Sequence, residues 1–212
     1  MKIMFYTRHD AFSRPGGDFV QLKKTKYYLE KMGYEIDISV ETDDNLSDYN
    51  FVHIFNIQTS EHGIKQILNA KKYKKDIFLS PIYWSTKNLK NNKLFDLIKG
   101  LMYSIDPSFF ERFAILYKLP ITKRLKIFHN ALKMLNESDV LLPNSIAELE
   151  NIVFDYGNQN FRAKSFIIPN GVDLADKDSL FIDNSLPNKY VLQVASFTQQ
   201  KGQLKTIESL FD

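Results

Sequence analysis

Short apolar runs alternate along the chain with longer amphipathic stretches. Residues 2–7 (KIMFYT) form a compact apolar run suited to a buried strand. Residues 35–40 (EIDISV) alternate with period two, and 51–55 (FVHIF), 76–80 (DIFLS), 139–142 (DVLL), 165–168 (SFII) and 189–195 (KYVLQVA) are further strand-like runs. Helical stretches fall at about 18–32, 60–73, 145–156 and 199–211. This rhythm predicts βαβ crossovers and a mostly parallel sheet with helices on both faces, an α/β architecture.

Helix ends carry their own signals. Asp18 with Gln21 three residues on has the arrangement of a capping box, and Gly33 stands where a glycine stop is expected. Within that helix Val20, Tyr27 and Met32 lie near one apolar stripe, with Leu22 and Leu29 beside it. Ser145 with Glu148 repeats the capping box, and so does Ser108 with Glu111. Residues 86–137 break the rhythm with a helical, heavily apolar insertion, of the kind that covers the mouth of a sheet or builds a binding face. The polar stretch 175–188 (ADKDSLFIDNSLPN) reads as a linker between a domain over 1–174 and the start of a second over 189–212. One strand and one helix do not make a domain, so the chain is expected to be cut off, by trimming or naturally.

Composition narrows the chemistry. The chain has 212 residues, 44% of them hydrophobic, 25% charged and 14% aromatic, enough for a substantial core. A net charge of +3 without a dense basic run does not point to nucleic acid. There is no cysteine, which excludes disulfides and thiolate chemistry. The histidines His9, His53, His62 and His129 lack metal-ligand spacing. No stretch is long and apolar enough to span a membrane, so the expected location is the cytoplasm, with contact at the inner membrane face as a further expectation.

Candidate chemistry gathers where strands end. Loop 8–18 (RHDAFSRPGGD) leaves the first strand and enters a helix. Gly16 and Gly17 let backbone approach a ligand closely, and the helix N-terminus favours an anion; a surface loop needing positive φ reads equally well. The glycine spacing departs from the dinucleotide-binding G-x-G-x-x-G, which disfavours an oxidoreductase. PNSIAE (143–148) and PNGVD (169–173) each put a Pro-Asn turn at a strand's carboxyl end, with Asn170-Gly171 suited to positive φ. In VLQVASFTQQKGQL (191–204) Lys201 precedes a helix start, placed to meet a diphosphate or simply solvated.

In this order, GGD, PNS, IPNGVD, then a strand and QQKGQL, the motifs resemble glycosyltransferase family 4 of the GT-B superfamily, over the whole chain. The resemblance implies an N-terminal Rossmann-like domain that holds the acceptor and the first strand and helix of a donor-binding domain. It implies transfer of a sugar from a nucleotide-diphosphate donor, used as a substrate with no cofactor, to a saccharide or lipid-linked acceptor in polysaccharide or glycoconjugate synthesis. Gly16 and Gly17 would then lie near diphosphate or acceptor, Asn144 and Ser145 would line the cleft, Asn170 and Gly171 would mark the domain junction, and Lys201 would pair with the diphosphate. Two departures stand out: Val194, Ala195 and Ser196 replace a V-G-R that supplies an arginine, and SPIYWS offers Tyr83 and Trp84 where many members carry a histidine. The donor-sugar motif of the second domain is absent, so this chain alone is expected to be inactive. A non-catalytic carbohydrate- or nucleotide-binding half-module, or a subunit of a split enzyme, is the alternative.

Remaining candidates carry two readings each. Asp18 either aids the acceptor hydroxyl or caps its helix. Tyr83 and Trp84 either stack on a sugar or nucleobase or join the core. Arg14 and His9 either reach a phosphate or are solvated. His53, inside a strand, reads as a satisfied core histidine. Phe109, Phe110, Phe113 and Leu116 beside Lys118, Lys123, Arg124 and Lys126 either seat on an anionic bilayer or pack over the sheet. Exposed apolar surface on a half-protein also favours a homodimer.

Overall fold

A computed structural model describes residues 1–85, 122–173, 187, 189–195 and 201–210. These fall into two compact units, Met1–Asn170 and Gly171–Asp212. In the first, β1 (Lys2–Tyr6), β2 (Glu35–Ser39), β3 (Phe51–Phe55), β4 (Asp76–Ser80) and β5 (Val140–Leu141) form one parallel sheet in the order β2-β1-β3-β4-β5. Helices α1 (Gly17–Lys31), α2 (Ser60–Lys72), α3 (Thr122–Glu137) and α4 (Ile146–Tyr156) accompany it, an α/β, Rossmann-like arrangement. The run 165–168 is shorter as a strand than its sequence suggests. Only Ser165 bridges to Leu141, although the amides of Phe166 and Ile168 still donate to Leu141 and Pro143 along the β5 edge at 2.9 Å.

The direction of each crossover decides which face its helix covers. Right-handed connections put helices on opposite faces when the chain moves in opposite directions across the sheet. The step from β1 to β2 goes one way and the steps through β3, β4 and β5 go the other. Alternate strand residues feed the two layers accordingly. Ile3, Phe5 and Phe55 pack with Phe19 and Leu22 of α1. Met4, Tyr6, Val52, Ile54, Ile77 and Leu79 pack with α2, α3 and α4, through residues such as Ile67, Met134 and Ile152.

Helix α1 differs from its sequence reading in two ways. Its buried residues are Asp18, Phe19 and Leu22, while Val20, Tyr27 and Met32 face solvent. The sheet contact is set by Phe19 and Leu22, three apart, and that places the Val20 line on the far side. Its N-cap is Gly16, not Asp18, and no side chain caps it. Gly33 does stop the helix, with φ 88°. The capping box at α4 forms: Ser145 Oγ accepts from the Glu148 amide at 3.1 Å.

The second unit contains a six-residue helix, α5 (Gln203–Glu208), behind a left-handed Gly202. The run 189–195 is not paired as a strand: Val191, Leu192 and Val194 are exposed. A lone apolar strand has no ladder partner and gains nothing from its pattern. Gly171 is not in the left-handed region, so the expected turn at Asn170-Gly171 does not use its freedom. The Ser108–Glu111 capping box, the Phe109–Leu116 cluster with Lys118 and nearly all of the 175–188 linker lie outside the described residues.

His53 is the core histidine its strand context predicts. Its Nε2 shares a 2.9 Å hydrogen bond with Ser80 Oγ, and its ring lies 5.0 Å from Phe5 and 4.1 Å from Phe55. Burial pushes its pKa down from the ordinary 6.5 to about 3. The unfolded chain therefore binds a proton that the folded chain refuses, and stability falls as pH drops below 6.5. Chemical denaturation between pH 7 and 5 should show a loss approaching ~1.4 kcal/mol per pH unit below 6.5. A His53→Gln variant, which can still bond Ser80, should lack most of that slope; an unchanged slope would remove His53 as its source.

Candidate ligand-binding rim

Ligands of open parallel sheets sit outside the carboxyl ends of the strands, at the point where strand order reverses. Here that point lies between β1 and β3. Leaving β1, Arg8 donates from Nε to Asp18 Oδ2 at 2.9 Å and bonds the Asp10 carboxylate and the Arg14 carbonyl as well. Leaving β3, Asn56 donates from Nδ2 to the same Asp18 oxygen at 3.0 Å. One carboxylate in the first turn of α1 thus joins both exits of the switch point. Burial would raise its pKa, but the Arg8 and Asn56 hydrogen bonds and the Arg8 charge outweigh it and hold the carboxyl below the usual range. Its contribution to stability is present above the ordinary aspartate pKa and is lost as pH falls through the depressed one.

That arrangement explains the two glycines separately. A Cβ on Gly16 would stand 2.7 Å from Asp18 Oδ1, so only glycine lets the chain pass the carboxylate. Gly16 is extended, with φ −120°, and no left-handed turn is involved. A Cβ on Gly17 would meet nothing within 4 Å. Nothing inside the protein requires glycine there, at the exposed first residue of α1.

A second carboxylate ties β4 to β5. Glu148, 5% exposed, accepts from the Tyr83 amide at 2.7 Å and from the Asn144 amide at 2.6 Å. Burial raises its pKa against the pull of those amides and that of Ile82. The sign is opposite to that of Asp18: its contribution declines as pH rises between the ordinary and the raised value. Tyr83 also donates from its hydroxyl to Asp155 at 2.8 Å and packs against the core, whereas Trp84 is 55% exposed. Between these ties, Asn56 (φ 76°) and Ile82 (φ 48°) hold left-handed backbone, and the amides of Asn56 and Ile57 donate to Ser80 and Pro81. Positive φ at a β-branched isoleucine is costly and persists only where surrounding bonds enforce it.

The strand ends therefore carry Arg14, Gly16, Gly17 and Asp18 after β1, Tyr83 and Trp84 after β4, and Asn144 and Ser145 after β5. Asn170 ends the first unit; Gly171 and Lys201 belong to the second. Lys201 precedes Gly202, and its carbonyl accepts from Gln193 Nε2 at 2.7 Å. Asp18 does not cap α1 because Arg8 and Asn56 occupy its carboxylate. Its low pKa and double tie suit positioning the rim better than taking a proton from a hydroxyl. Sequence reading missed Arg8 and Asn56 as members, and saw in Glu148 only a capping residue. The available signals were an asparagine directly after FVHIF, suited to positive φ, and a basic residue directly after KIMFYT. Neither a protein-family model nor a curated protein sequence matches this chain.

Three substitutions separate structural from ligand-facing positions. Glu148→Ala strands two amides and should cost about 2–4 kcal/mol in urea unfolding. Gly16→Ala should destabilise by about 1–3 kcal/mol through its clash with Asp18. Gly17→Ala should be neutral or stabilising by up to ~1 kcal/mol, since it adds a helix former in open space. A costly Gly17→Ala would mean that the glycine serves the fold.

Proposed function

We propose that the chain is the acceptor-side part of a GT-B glycosyltransferase, moving a sugar from a nucleotide-diphosphate donor to a saccharide or lipid-linked acceptor. The observation that carries this reading is Gly17. It is an exposed glycine at a helix N-terminus, at the switch point of a parallel sheet, with no neighbour of its own that excludes a side chain. A glycine without an internal reason fits close approach by a ligand, and unpaired amides at a helix start favour an anionic one. The GGD and PNS motifs follow β1 and β5, at the same edge of one parallel sheet, in the order seen in glycosyltransferase family 4.

In the proposed reaction the diphosphate leaves with growing negative charge, and amides at helix starts, together with Lys201, stabilise it. Asp18 orients Arg8 and Asn56 and so fixes the shape of the rim. Tyr83 is occupied structurally by Asp155, which leaves Trp84 as the aromatic surface for a sugar or base.

The test is release of nucleoside diphosphate from a panel of nucleotide sugars, with saccharide and lipid-linked acceptors, by the protein at its native length. Acceptor-dependent release is expected. Gly17→Val, which puts bulk into open space, should lower kcat/KM by at least about tenfold while unfolding stability stays within ~1 kcal/mol. Lys201→Ala should lower it by about 100-fold or more. Binding of a saccharide or nucleotide without turnover would favour the half-module. No response to any donor or acceptor would overturn the reading.

A further inference from the structure

A helix packed on a sheet normally turns charges of both signs to water and its apolar residues inward. Helix α1 does otherwise. Val20, Lys24, Tyr27 and Lys31, spaced i, i+4, i+7 and i+11, form its outward line, and all four are exposed. Lys23 and Tyr28 flank this line and Met32 follows its end. Phe12, on the loop before the helix, stands edge-on to Phe19 at 5.1 Å. Phe12, Val20, Tyr27, Tyr28 and Met32 are each between 48% and 70% exposed. A groove of about 480 Å3, lined in part by Phe12, Lys23, Lys26 and Tyr27, runs along the flank.

The charges on this face have one sign. The acids of α1 are Asp18, buried against Arg8, and Glu30, paired with Lys26. Lys23, Lys24 and Lys31 face outward with no acid among them. Lys31 lies 4.4 Å from the centroid of Tyr27, and Lys23 lies 5.2 Å from that of Phe19. Ammonium groups on long stems beside tyrosine and phenylalanine make up the composition that settles at a bilayer interface, with rings at headgroup depth and amines reaching phosphate.

We propose that the outward face of α1, with Phe12, docks on an anionic lipid surface. Cations without acids select an anionic surface, and the exposed apolar side chains provide the burial that charge alone lacks. Because α1 begins at the switch point, such docking puts the Gly16–Gly17 rim beside the headgroups. The proposal stands whether or not the chain transfers sugar, since lipid binding is read without turnover.

The test is cosedimentation of the full chain with vesicles of phosphatidylcholine alone and of phosphatidylcholine carrying three parts phosphatidylserine in ten. Binding is expected to the serine-containing vesicles only and to weaken with added salt. Lys24→Gln and Lys31→Gln should each weaken it about fivefold. Phe12→Ser should weaken it further, with unchanged circular dichroism in all three variants. Equal binding to both vesicles, binding to neither, or variants that bind like the parent would overturn the proposal. So would a dimer in lipid-free buffer that Tyr27→Ser dissociates, because a second copy would then cover this face.

Discussion

Loops that leave the carboxyl ends of parallel strands carry polar groups that the sheet does not pair, and in this chain two buried carboxylates tie those loops together. Asp18 reaches from α1 to Arg8 and Asn56 and joins the exits of β1 and β3. Glu148 reaches from α4 to the amides of Tyr83 and Asn144 and joins the exits of β4 and β5. Hydrogen bonds to a buried charge are strong because water does not compete for them, and removing the acceptor leaves donors stranded. The rim therefore inherits its shape from two helices whose own positions are fixed by the core.

The two carboxylates work by different electrostatics. Asp18 has a guanidinium beside it and stays charged at low pH. Glu148 is served mainly by backbone amides, and burial dominates, so its ionisation is opposed. The exit on the Asp18 side is thus a paired charge, and the exit on the Glu148 side is a charge held by dipoles. The positive φ of Asn56 and Ile82 lies between them, where the β3 and β4 exits bond side by side.

Much of the fold was legible in the sequence because local pattern and tertiary packing agree there. FVHIF and DIFLS are strands over the residues expected, and Ser145 caps α4 as its spacing predicts. Legibility failed where a long-range partner decided the outcome. Asp18 has the spacing of a cap, but Arg8, ten residues earlier, takes its carboxylate. KYVLQVA has the composition of a buried strand, but no neighbour pairs with it among the described residues. Val20, Tyr27 and Met32 form an apolar line, yet Phe19 and Leu22 hold the sheet and turn that line outward. The site was legible as three motifs at strand ends, whereas its connecting residues, Arg8 and Asn56, only become members once β1 and β3 are adjacent.

The central claim is that this rim, and the exposed Gly17 on it, meets a phosphate-bearing or saccharide ligand. Amide chemical-shift mapping of the labelled protein, titrated with nucleotide-diphosphate sugars and then with acceptor saccharides, tests it most directly. The account predicts shifts centred on Gly16, Gly17, Asn144 and Ser145. Shifts confined to the opposite edge of the sheet, near Lys2, Glu35 and Asp76, or no shifts with any ligand, would contradict it.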